Sequence, residues 1–323
     1  MAGPMNVAVM LVLIMGTGFA SGLDPNFYSR SCPNVVQIVA TIVNRHLKQD
    51  VTIAAPLVRL FFHDCFVEGC DASVLIVSPN KTAERDATPN FSLSQFDLID
   101  EIKSALERTC PGTVSCADIL ALAARDAVLQ TGGPTWAVEL GRRDGLKSSD
   151  FDATTHLPSS RSDAQALINS FASNRLSIRD LVTLSGAHTF GKTHCSFVGR
   201  RLYDFTNNGG IDPTLNTTYA MSLKKQCTAP VNPNTIVLLD PSTPNRFDNI
   251  YFKELLQNQG IFSSDSALVL DPRTKVFVTE YANNEDSFRD QFGIAMIKMG
   301  RIGVLTGQQG QIRKRCDIVN TLF

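Results

Sequence analysis

The stretch "LVRLFFHDCFVEGCDASVLI", residues 57–76, places charged and sulfur-containing side chains inside an otherwise apolar segment. Helical periodicity over residues 54–66 puts Arg59 and His63, four residues apart, on one face of a helix with Phe62 beside them. A buried guanidinium is costly unless an anionic group meets it, and its charge disfavours protonation of a neighbouring imidazole. The pair is therefore typical of a general base beside an electrostatic clamp for developing negative charge.

A simpler explanation exists for the same pair, in which Arg59 forms a salt bridge with Asp64 and His63 is a satisfied core residue. The loop that follows favours a site instead, because a Cys65–Cys70 disulfide would tighten it and its oxygen atoms suit Ca²⁺. Side chains and turn carbonyls supply these oxygens, from Asp64, Val67, Gly69, Asp71 and Ser73.

Composition describes an ordinary soluble protein. The chain has 323 residues, 43% of them hydrophobic and 19% charged, with a formal net charge of -1. This length is enough to bury a large core, and the charge balance indicates neither a nucleic-acid partner nor an acidic surface as partner. We also expect no membrane partner after signal cleavage. No linker or internal repeat divides the chain, which predicts one domain over residues 23–323.

The first 22 residues contain no Asp, Glu, Lys or Arg. An apolar run over residues 7–15 is followed by the small residues around Phe19-Ala20-Ser21-Gly22, a pattern typical of a secretory signal peptide. The run is shorter than the roughly 20 residues of a spanning helix, so a membrane anchor is the weaker interpretation. We therefore expect residues 1–22 to be removed on secretion.

Eight cysteines behind such a leader predict four disulfides, although eight cysteines allow 105 pairings and spacing alone fixes only Cys65–Cys70. Three triplets match the acceptor pattern for N-glycosylation, at Asn80, Asn90 and Asn216. Of these we expect Asn80 and Asn216 to carry glycans.

Apolar residues recur at helical spacing, whereas alternating strand patterns are scarce and short. Helices are predicted over residues 35–47, 54–66, 117–129 and 247–256, and Ser177 with Asp180 forms a capping box before residues 181–184. Two further stripes consist of Phe96, Ile99, Ile102 and Leu106, and of Phe288, Phe292, Met296 and Met299, the second ending at Gly300. The pattern predicts a mainly α protein with about ten helices and very little β structure.

A second constellation lies in "DLVTLSGAHTFGKTHC", residues 180–195, where His188 ends an apolar, capped helix. The small residues Gly186 and Ala187 before it would let a flat ligand approach closely. A single buried histidine with space on one side suits an axial ligand of haem iron.

Both constellations together resemble the plant secretory (class III) haem peroxidases. The resemblance extends over the mature chain, through "SCPNV" from Ser31, "VSCADILALAARDAV" from Val114, "GGPTWAVELGRRDG" from Gly132, "FDNIYFKELLQNQGIFSSD" from Phe247 and "GQIRKRC" from Gly310. It implies a haem peroxidase fold, with haem between a distal half that receives peroxide and a proximal half that holds the iron.

The resemblance also implies roles for individual residues. On the distal side His63 becomes the catalytic base, Arg59 the clamp and Phe62 an aromatic wall. Asn90 fixes the tautomer of His63 with Glu84 behind it, which would bury Asn90 and make its glycosylation triplet a false match. On the proximal side His188 becomes the iron ligand and Asp265 accepts the proton of its Nδ1.

Cofactors and disulfides follow in the same way. The resemblance implies one haem b and two Ca²⁺ ions, the distal ion on the loop described above. The proximal ion would be held by Thr189, Asp240, Thr243, Arg246 and Asp248, with Arg246 contributing its carbonyl. The implied disulfides are Cys32–Cys110, Cys65–Cys70, Cys116–Cys316 and Cys195–Cys227, and Asp118 with Arg142 forms a buried ion pair.

Partners implied by the resemblance are H₂O₂ and small phenolic donors, with the protein a secreted monomer of the cell-wall space. Lignin units, wall phenolics and auxin are candidate donors. Pro158 matches a proline that lines the donor site. The chain departs from the family pattern at Glu68, where an amide is usual, at Val77, where an acidic residue is common, and at residues 159–161 after Pro158.

Two rival functions remain to be distinguished. A haem- and Ca²⁺-binding wall protein without turnover would not need Arg59, His63 and Asn90 together. A metallohydrolase would need closely spaced ligands such as the HExxH pattern, which the sequence lacks.

Overall fold

The computed structural model describes residues 22–321, so the predicted signal peptide lies, except for Gly22, outside the described residues. Regular structure in this range is almost entirely helical, as predicted, with more helices than the expected ten or so. The helices are α1 (Val35–Gln49), α2 (Ala54–Cys65), α3 (Phe96–Thr109), α4 (Cys116–Gln130), α5 (Asp150–His156), α6 (Ala164–Ser173), α7 (Ile178–Ser185), α8 (Cys195–Tyr203), α9 (Thr217–Gln226), α10 (Ile250–Leu256), α11 (Ser263–Leu270), α12 (Pro272–Asn283) and α13 (Glu285–Met299). Two three-residue strands, β1 (Lys192–His194) and β2 (Ile236–Leu238), pair antiparallel.

Helix α4 is the centre of the N-terminal half. It is buried almost all round and packs against α1 and α2, which explains why its sequence is apolar on every face. Ser115 caps it by accepting a hydrogen bond from the Asp118 N–H at 3.1 Å. Helix α2, which carries Arg59 and His63, is thereby fixed against the most buried element of this half.

The C-terminal half is built around α7, α10, α12 and α13, which pack together. Ser177 and Asp180 form the predicted capping box at the start of α7. Aromatic rings from α10 and α13 and the preceding loop fill the interior, with centroids 4.6 to 5.8 Å apart, namely Phe247, Phe252, Phe288 and Phe292. A smaller apolar cluster lies around the Cys195–Cys227 disulfide between α8 and α9.

The prediction of a helix from residue 247 was wrong at its start, because α10 begins only at Ile250. Phe247 donates its N–H to the Thr131 carbonyl, and the Asp248 carboxylate accepts the Ile250 N–H at 2.9 Å. Because the Asp248 side chain bonds the N–H of the first helical residue, two positions on, Asp248 itself lies outside the helix.

Gly300 ends α13 as predicted, but with φ of -64° rather than in the left-handed conformation common after helices. A Cβ at this position would lie 2.7 Å from Nη2 of Arg142, which donates to the Gly300 carbonyl at 2.6 Å. The glycine is therefore required by close packing against a buried guanidinium.

Covalent and ionic links join distant parts of the chain. The disulfides pair Cys32–Cys110, Cys65–Cys70, Cys116–Cys316 and Cys195–Cys227, which uses all eight cysteines. Arg142 and Asp118 form a buried ion pair at 2.9 Å, and the Tyr28 hydroxyl donates to the same carboxylate at 2.8 Å. These links stabilise the scaffold that carries the site.

None of the helices within residues 22–321 combines the length and the apolar character that crossing a membrane requires.

Candidate active site

Arg59 and His63 lie one turn apart on α2, as the spacing predicts. Arg59 Nε donates to His63 Nε2 at 3.1 Å, and Phe62 packs edge-on to the imidazole with ring centroids 5.6 Å apart. His63 is only 6% exposed. Burial, followed by the charge of Arg59, lowers the pKa of His63 to about 3, so the imidazole is neutral near pH 7.

The tautomer of His63 follows from its other neighbour, Asn90. The Asn90 amide nitrogen donates to the Glu84 carbonyl at 2.7 Å, which leaves its Oδ1 as the acceptor facing His63 Nδ1 at 2.5 Å. Nδ1 must therefore carry the proton, and Nε2 keeps its lone pair. The site thus holds an imidazole base whose reactive nitrogen lies beside a guanidinium.

Arg59 does not form the salt bridge with Asp64 that the simpler explanation requires. Its terminal nitrogens donate to the Ser92 hydroxyl at 2.9 Å and to the Pro89 carbonyl at 2.8 Å, which are both neutral. Within residues 22–321 no carboxylate pairs with it, and burial lowers its pKa to about 10, which leaves it cationic near pH 7. A cation held by neutral groups can stabilise negative charge on a ligand.

His188 occupies the second half of the molecule, in the short turn after α7. Its Nδ1 lies 2.8 Å from Asp265 Oδ1, at the start of α11. Asp265 is almost fully buried, whereas the imidazole of His188 keeps 35% of its surface exposed. Since Nδ1 faces the carboxylate and Nε2 has no hydrogen-bond partner within residues 22–321, the accessible nitrogen is Nε2.

The interpretation of Gly186 as part of an open ligand surface was wrong. Gly186 is buried, and a Cβ there would lie 2.5 Å from the Phe288 ring and 2.8 Å from the Phe252 ring. The glycine lets α13 and α10 approach the end of α7. Ala187 remains partly exposed beside His188, in agreement with the prediction for that residue.

Comparison with known proteins decides the family. The family model described as peroxidase matches residues 39–284. Peroxidase 56 of Arabidopsis thaliana is 48% identical over 300 residues, which are 93% of this chain and 91% of the relative. Peroxidase 3 of the same plant is 47% identical over 319 residues, 98% of each chain.

The chain belongs to the plant class III peroxidases. It is an oxidoreductase that reduces H₂O₂ while oxidising donor molecules, and the family implies haem as its cofactor. The peroxidase fold explains why His63, which lies beside a guanidinium, and His188, which lies beside a carboxylate, belong to opposite halves of the protein.

The residues of this peroxidase fit a haem group. His188 offers an unpartnered Nε2 while Asp265 holds its Nδ1, which is the arrangement that metal-bound histidines adopt. Phe62, Leu157 and Ala187 pack against the main core yet stay partly exposed, as the walls of an apolar ligand site would. His63 and Arg59 supply a base and a positive charge, the groups that peroxide chemistry needs.

The last turn of α2 and the segment that follows it contain buried oxygen atoms that have no hydrogen-bond partner within residues 22–321. They are Asp64 Oδ1, Ser73 Oγ and both carboxylate oxygens of Glu84. Burial, and then the charge of Asp64, raises the pKa of Glu84 to about 9. Burial, and then the charge of Asp71, raises the pKa of Asp64 well above its usual value. A bound cation would satisfy these groups.

The backbone of this loop is held closely. Gly145 has no room for a Cβ because that atom would lie 2.1 Å from the Asp71 carboxylate, and the Gly69 Cβ would lie 2.7 Å from Gly303. Glu68, the departure from the family pattern, lies at the rim and accepts from Lys147 at 3.1 Å. Its carboxylate therefore has a partner of its own.

A second group of oxygen atoms lies beside His188. Thr189 and Thr243 both donate to Asp248 Oδ1, at 3.1 and 3.2 Å, and Asp240 accepts two backbone N–H groups. Sequence reasoning missed Glu254, a nearby carboxyl whose pKa is raised to about 7, first by burial and then by the charge of Asp240. The Arg246 side chain is 65% exposed and its Nε lies 3.6 Å from Asp248 Oδ2, so the carbonyl is the Arg246 group available to a cation.

Neither loop forms a site of the kind that transition metals prefer. Among residues 22–321 no three His, Cys, Asp or Glu side chains cluster closely enough to hold a metal ion by themselves. Each loop instead combines two carboxylates with threonine or serine hydroxyls and with carbonyls, a donor set that suits Ca²⁺.

Several contacts of the site had no signal in the sequence. Ser92 and Pro89 hold Arg59, and Tyr251 donates its hydroxyl to Asp265 at 2.8 Å. Ser92 and Pro89 lie 33 and 30 residues from Arg59, and Tyr251 lies 14 residues from Asp265 on a different helix. Pro158 lies at the surface after α5, partly exposed, where a donor molecule could reach it.

Of the three glycosylation triplets, Asn90 is 2% exposed and bonded to His63, which excludes a glycan there. Asn80 is exposed in a turn. Asn216 caps α9 through its Oδ1, which leaves its amide nitrogen available.

Proposed function

We propose that this peroxidase is a secreted, monomeric enzyme that oxidises small phenolic donors in the cell-wall space. One haem b and two Ca²⁺ ions would complete it. The observation that carries the proposal is the hydrogen-bond chain from Glu84 through Asn90 to His63, which leaves a basic Nε2 beside Arg59.

His188 Nε2 would hold the haem iron, with Asp265 accepting the Nδ1 proton at 2.8 Å. When bound, haem would supply the redox chemistry, a two-electron reduction of peroxide matched by one-electron oxidations of two donor molecules. A hydrogen bond to a buried carboxylate makes the imidazole a stronger electron donor to iron, which favours the oxidised enzyme.

On the opposite side, His63 Nε2 would take a proton from one oxygen of H₂O₂ and return it to the other, which leaves as water. Arg59 would stabilise the negative charge that builds on the departing oxygen. Because Asn90 holds the Nδ1 proton, the imidazole is oriented before peroxide arrives. Phe62 excludes water from one side of the base.

The Ca²⁺ ions would bind the two oxygen-rich loops. The distal ion would take Asp64, Val67, Gly69, Asp71 and Ser73, and the proximal ion Thr189, Asp240, Thr243, Arg246 and Asp248. The distal loop continues directly from α2, so an ion there would hold His63 in place. The proximal loop includes Thr189, the neighbour of His188, and would hold the iron ligand in the same way.

Donors would bind near Pro158, which is partly exposed at the end of α5. Residues 159–161 and His156 at this surface are polar, so small phenols with hydroxyl groups suit it. Monolignols, simple wall phenols and auxin are the candidate donors, and lignin coupling and the response to oxidative stress are the roles that follow from them.

Steady-state kinetics with H₂O₂ and each donor class test this proposal. We expect measurable kcat/KM values for monolignols and simple phenols in the haem-loaded, Ca²⁺-replete enzyme. Oxidation of inorganic donors alone, with no turnover of any phenol, would contradict the assignment of donors. Secretion is tested by imaging a fluorescent fusion of the full chain against one that lacks residues 1–22, and retention of both inside the cell would contradict it.

A further inference from the structure

Asp265 receives more hydrogen bonds than the pairing with His188 requires. Its Oδ1 faces both His188 Nδ1 and the Tyr251 hydroxyl, each at 2.8 Å, and its Oδ2 accepts the Phe262 N–H at 2.8 Å. Asp265 is 1% exposed and Tyr251 2%, so water does not compete for these contacts. The two side-chain donors therefore share one oxygen atom.

The direction of the Tyr251 bond is fixed by both partners. Burial, and then the charge of Asp265, raises the pKa of Tyr251 well above its usual value, so the phenol keeps its proton. Burial acts to raise the pKa of Asp265, but the charge and hydrogen bond of His188, the Phe262 N–H and Tyr251 outweigh it and hold it below its usual value. The contacts give the same direction, because a carboxylate that faces the His188 Nδ1, the Tyr251 hydroxyl and the Phe262 N–H is the acceptor in each bond and the phenol is a donor.

Two donors that share one acceptor oxygen each form a weaker hydrogen bond to it. The Tyr251 hydroxyl withdraws electron density from Asp265 Oδ1, the oxygen that attracts the His188 proton. We propose that Tyr251 is a positioning residue that limits how far Asp265 draws the Nδ1 proton from His188, and so sets the electron donation of this imidazole to the haem iron. The inference rests on the proposed role of His188 as iron ligand.

The scaffold holds this arrangement rigidly. Tyr251 belongs to α10 and Asp265 to the first turn of α11, and the Tyr251 ring also meets the His188 ring edge-on, with centroids 5.8 Å apart. Arg201, itself buried, donates to the carbonyls of Gly260, Ile261 and Phe262 and fixes the loop before Asp265. The hydroxyl is therefore held at hydrogen-bond distance by packing rather than by chance contact.

The substitution Tyr251→Phe removes this hydroxyl and keeps the ring. A matched control is Tyr281→Phe, since Tyr281 is equally buried and its hydroxyl bonds to Thr183 Oγ1 at 2.7 Å, away from Asp265. The measurements are the ferric/ferrous midpoint potential and the iron–imidazole stretching frequency of the ferrous holoenzyme by resonance Raman spectroscopy. Both report the iron ligand rather than turnover.

We expect Tyr251→Phe to shift the ferric/ferrous equilibrium toward the ferric form by about threefold to tenfold, which lowers the midpoint potential by about 30 to 60 mV. The same substitution should raise the iron–imidazole stretching frequency. Tyr281→Phe should leave both unchanged. Site-specific 3,5-difluorotyrosine at position 251, a stronger donor of the same shape, should shift both in the opposite direction, and it decides the matter if Tyr251→Phe does not fold.

Unchanged values in the position-251 variants, or equal shifts in the position-251 and position-281 variants, would overturn the proposal. Failure of the proposed function gives a different result. In that case His188→Ala would retain the Soret band and iron coordination of the wild-type enzyme, whatever the position-251 variants do.

Discussion

Asn90 Oδ1 lies 2.5 Å from His63 Nδ1, while the amide nitrogen of Asn90 is committed to the Glu84 carbonyl at 2.7 Å. This pair of contacts fixes which nitrogen of His63 can accept a proton. It also buries the asparagine of a glycosylation triplet, which serves the site rather than a glycan.

Replacing Asn90 by Ala should therefore impair catalysis while leaving His63 in place. Without its acceptor, the imidazole loses the preference for a proton on Nδ1, and we expect kcat/KM for H₂O₂ to fall about 10- to 100-fold. Stopped-flow reaction of the haem enzyme with H₂O₂ measures this. Asn80→Ala, at an exposed asparagine of a similar triplet, is the control and should react as the wild type does.

The reaction with H₂O₂ should be insensitive to pH over the neutral range. His63 works as a base only when neutral, and burial with the charge of Arg59 lowers its pKa to about 3. As pH falls, kcat/KM should stay level from about pH 8 to pH 5 and decline about tenfold per pH unit only below the pKa.

The variant Arg59→Leu should move this acid limb to higher pH, since it removes the second cause of the low pKa. Stopped-flow pH jumps, which limit exposure to acid, measure both profiles. An acid limb whose apparent pKa in the wild type lies near the ordinary histidine value would contradict the low pKa of His63.

Loss of one carboxylate in the distal loop should release one Ca²⁺ ion. Asp71→Asn removes a charge from a loop in which Asp64 Oδ1 and Ser73 Oγ have no partner among residues 22–321, so we expect the Ca²⁺ content to fall from two ions to one and the melting temperature to fall. Metal analysis and thermal unfolding measure these effects. Glu68→Gln, at the rim where Lys147 already pairs with the carboxylate, should keep both ions. Equal ion contents in the two variants would argue against a distal site.

Replacing Gln95, the residue before α3, by glycine should stabilise the protein. Its φ of 74° lies in the left-handed region, which costs a non-glycine residue about 1 to 2 kcal/mol. After the entropy cost of glycine, Gln95→Gly should raise the free energy of unfolding by about 0.5 kcal/mol. Gln291→Gly, inside α13, should lower it by about 1 kcal/mol. Denaturant unfolding compares them, and destabilisation by both would contradict the argument.

The sequence allowed the local features of the site to be predicted and left its long-range contacts open. The spacing of Arg59 and His63 was enough to place them on one face of α2, because a helix fixes neighbours four residues apart. Composition and spacing could not pair His63 with Asn90, or His188 with Asp265, which is 77 residues away. Those two pairs came from the family resemblance.

Other details depended on packing that no local pattern reveals. Gly186 lies two residues before the partly exposed His188, but its missing Cβ makes room for Phe288 from α13. Tyr251 looks like one more aromatic residue of an apolar helix, and only the folded chain directs its hydroxyl to Asp265. The start of α10 was predicted wrongly at residue 247, since Asp248 suits a helix start or a loop ligand equally.

The measurement that tests the central claim most directly is the rate of reaction of haem-loaded His63→Ala with H₂O₂. We expect the Soret band of the resting enzyme to persist, because His188 is untouched, while the second-order rate constant falls by about 100- to 10,000-fold. Added imidazole should restore part of the rate. A rate equal to that of the wild type, with haem bound, would contradict the assignment of His63 as the base.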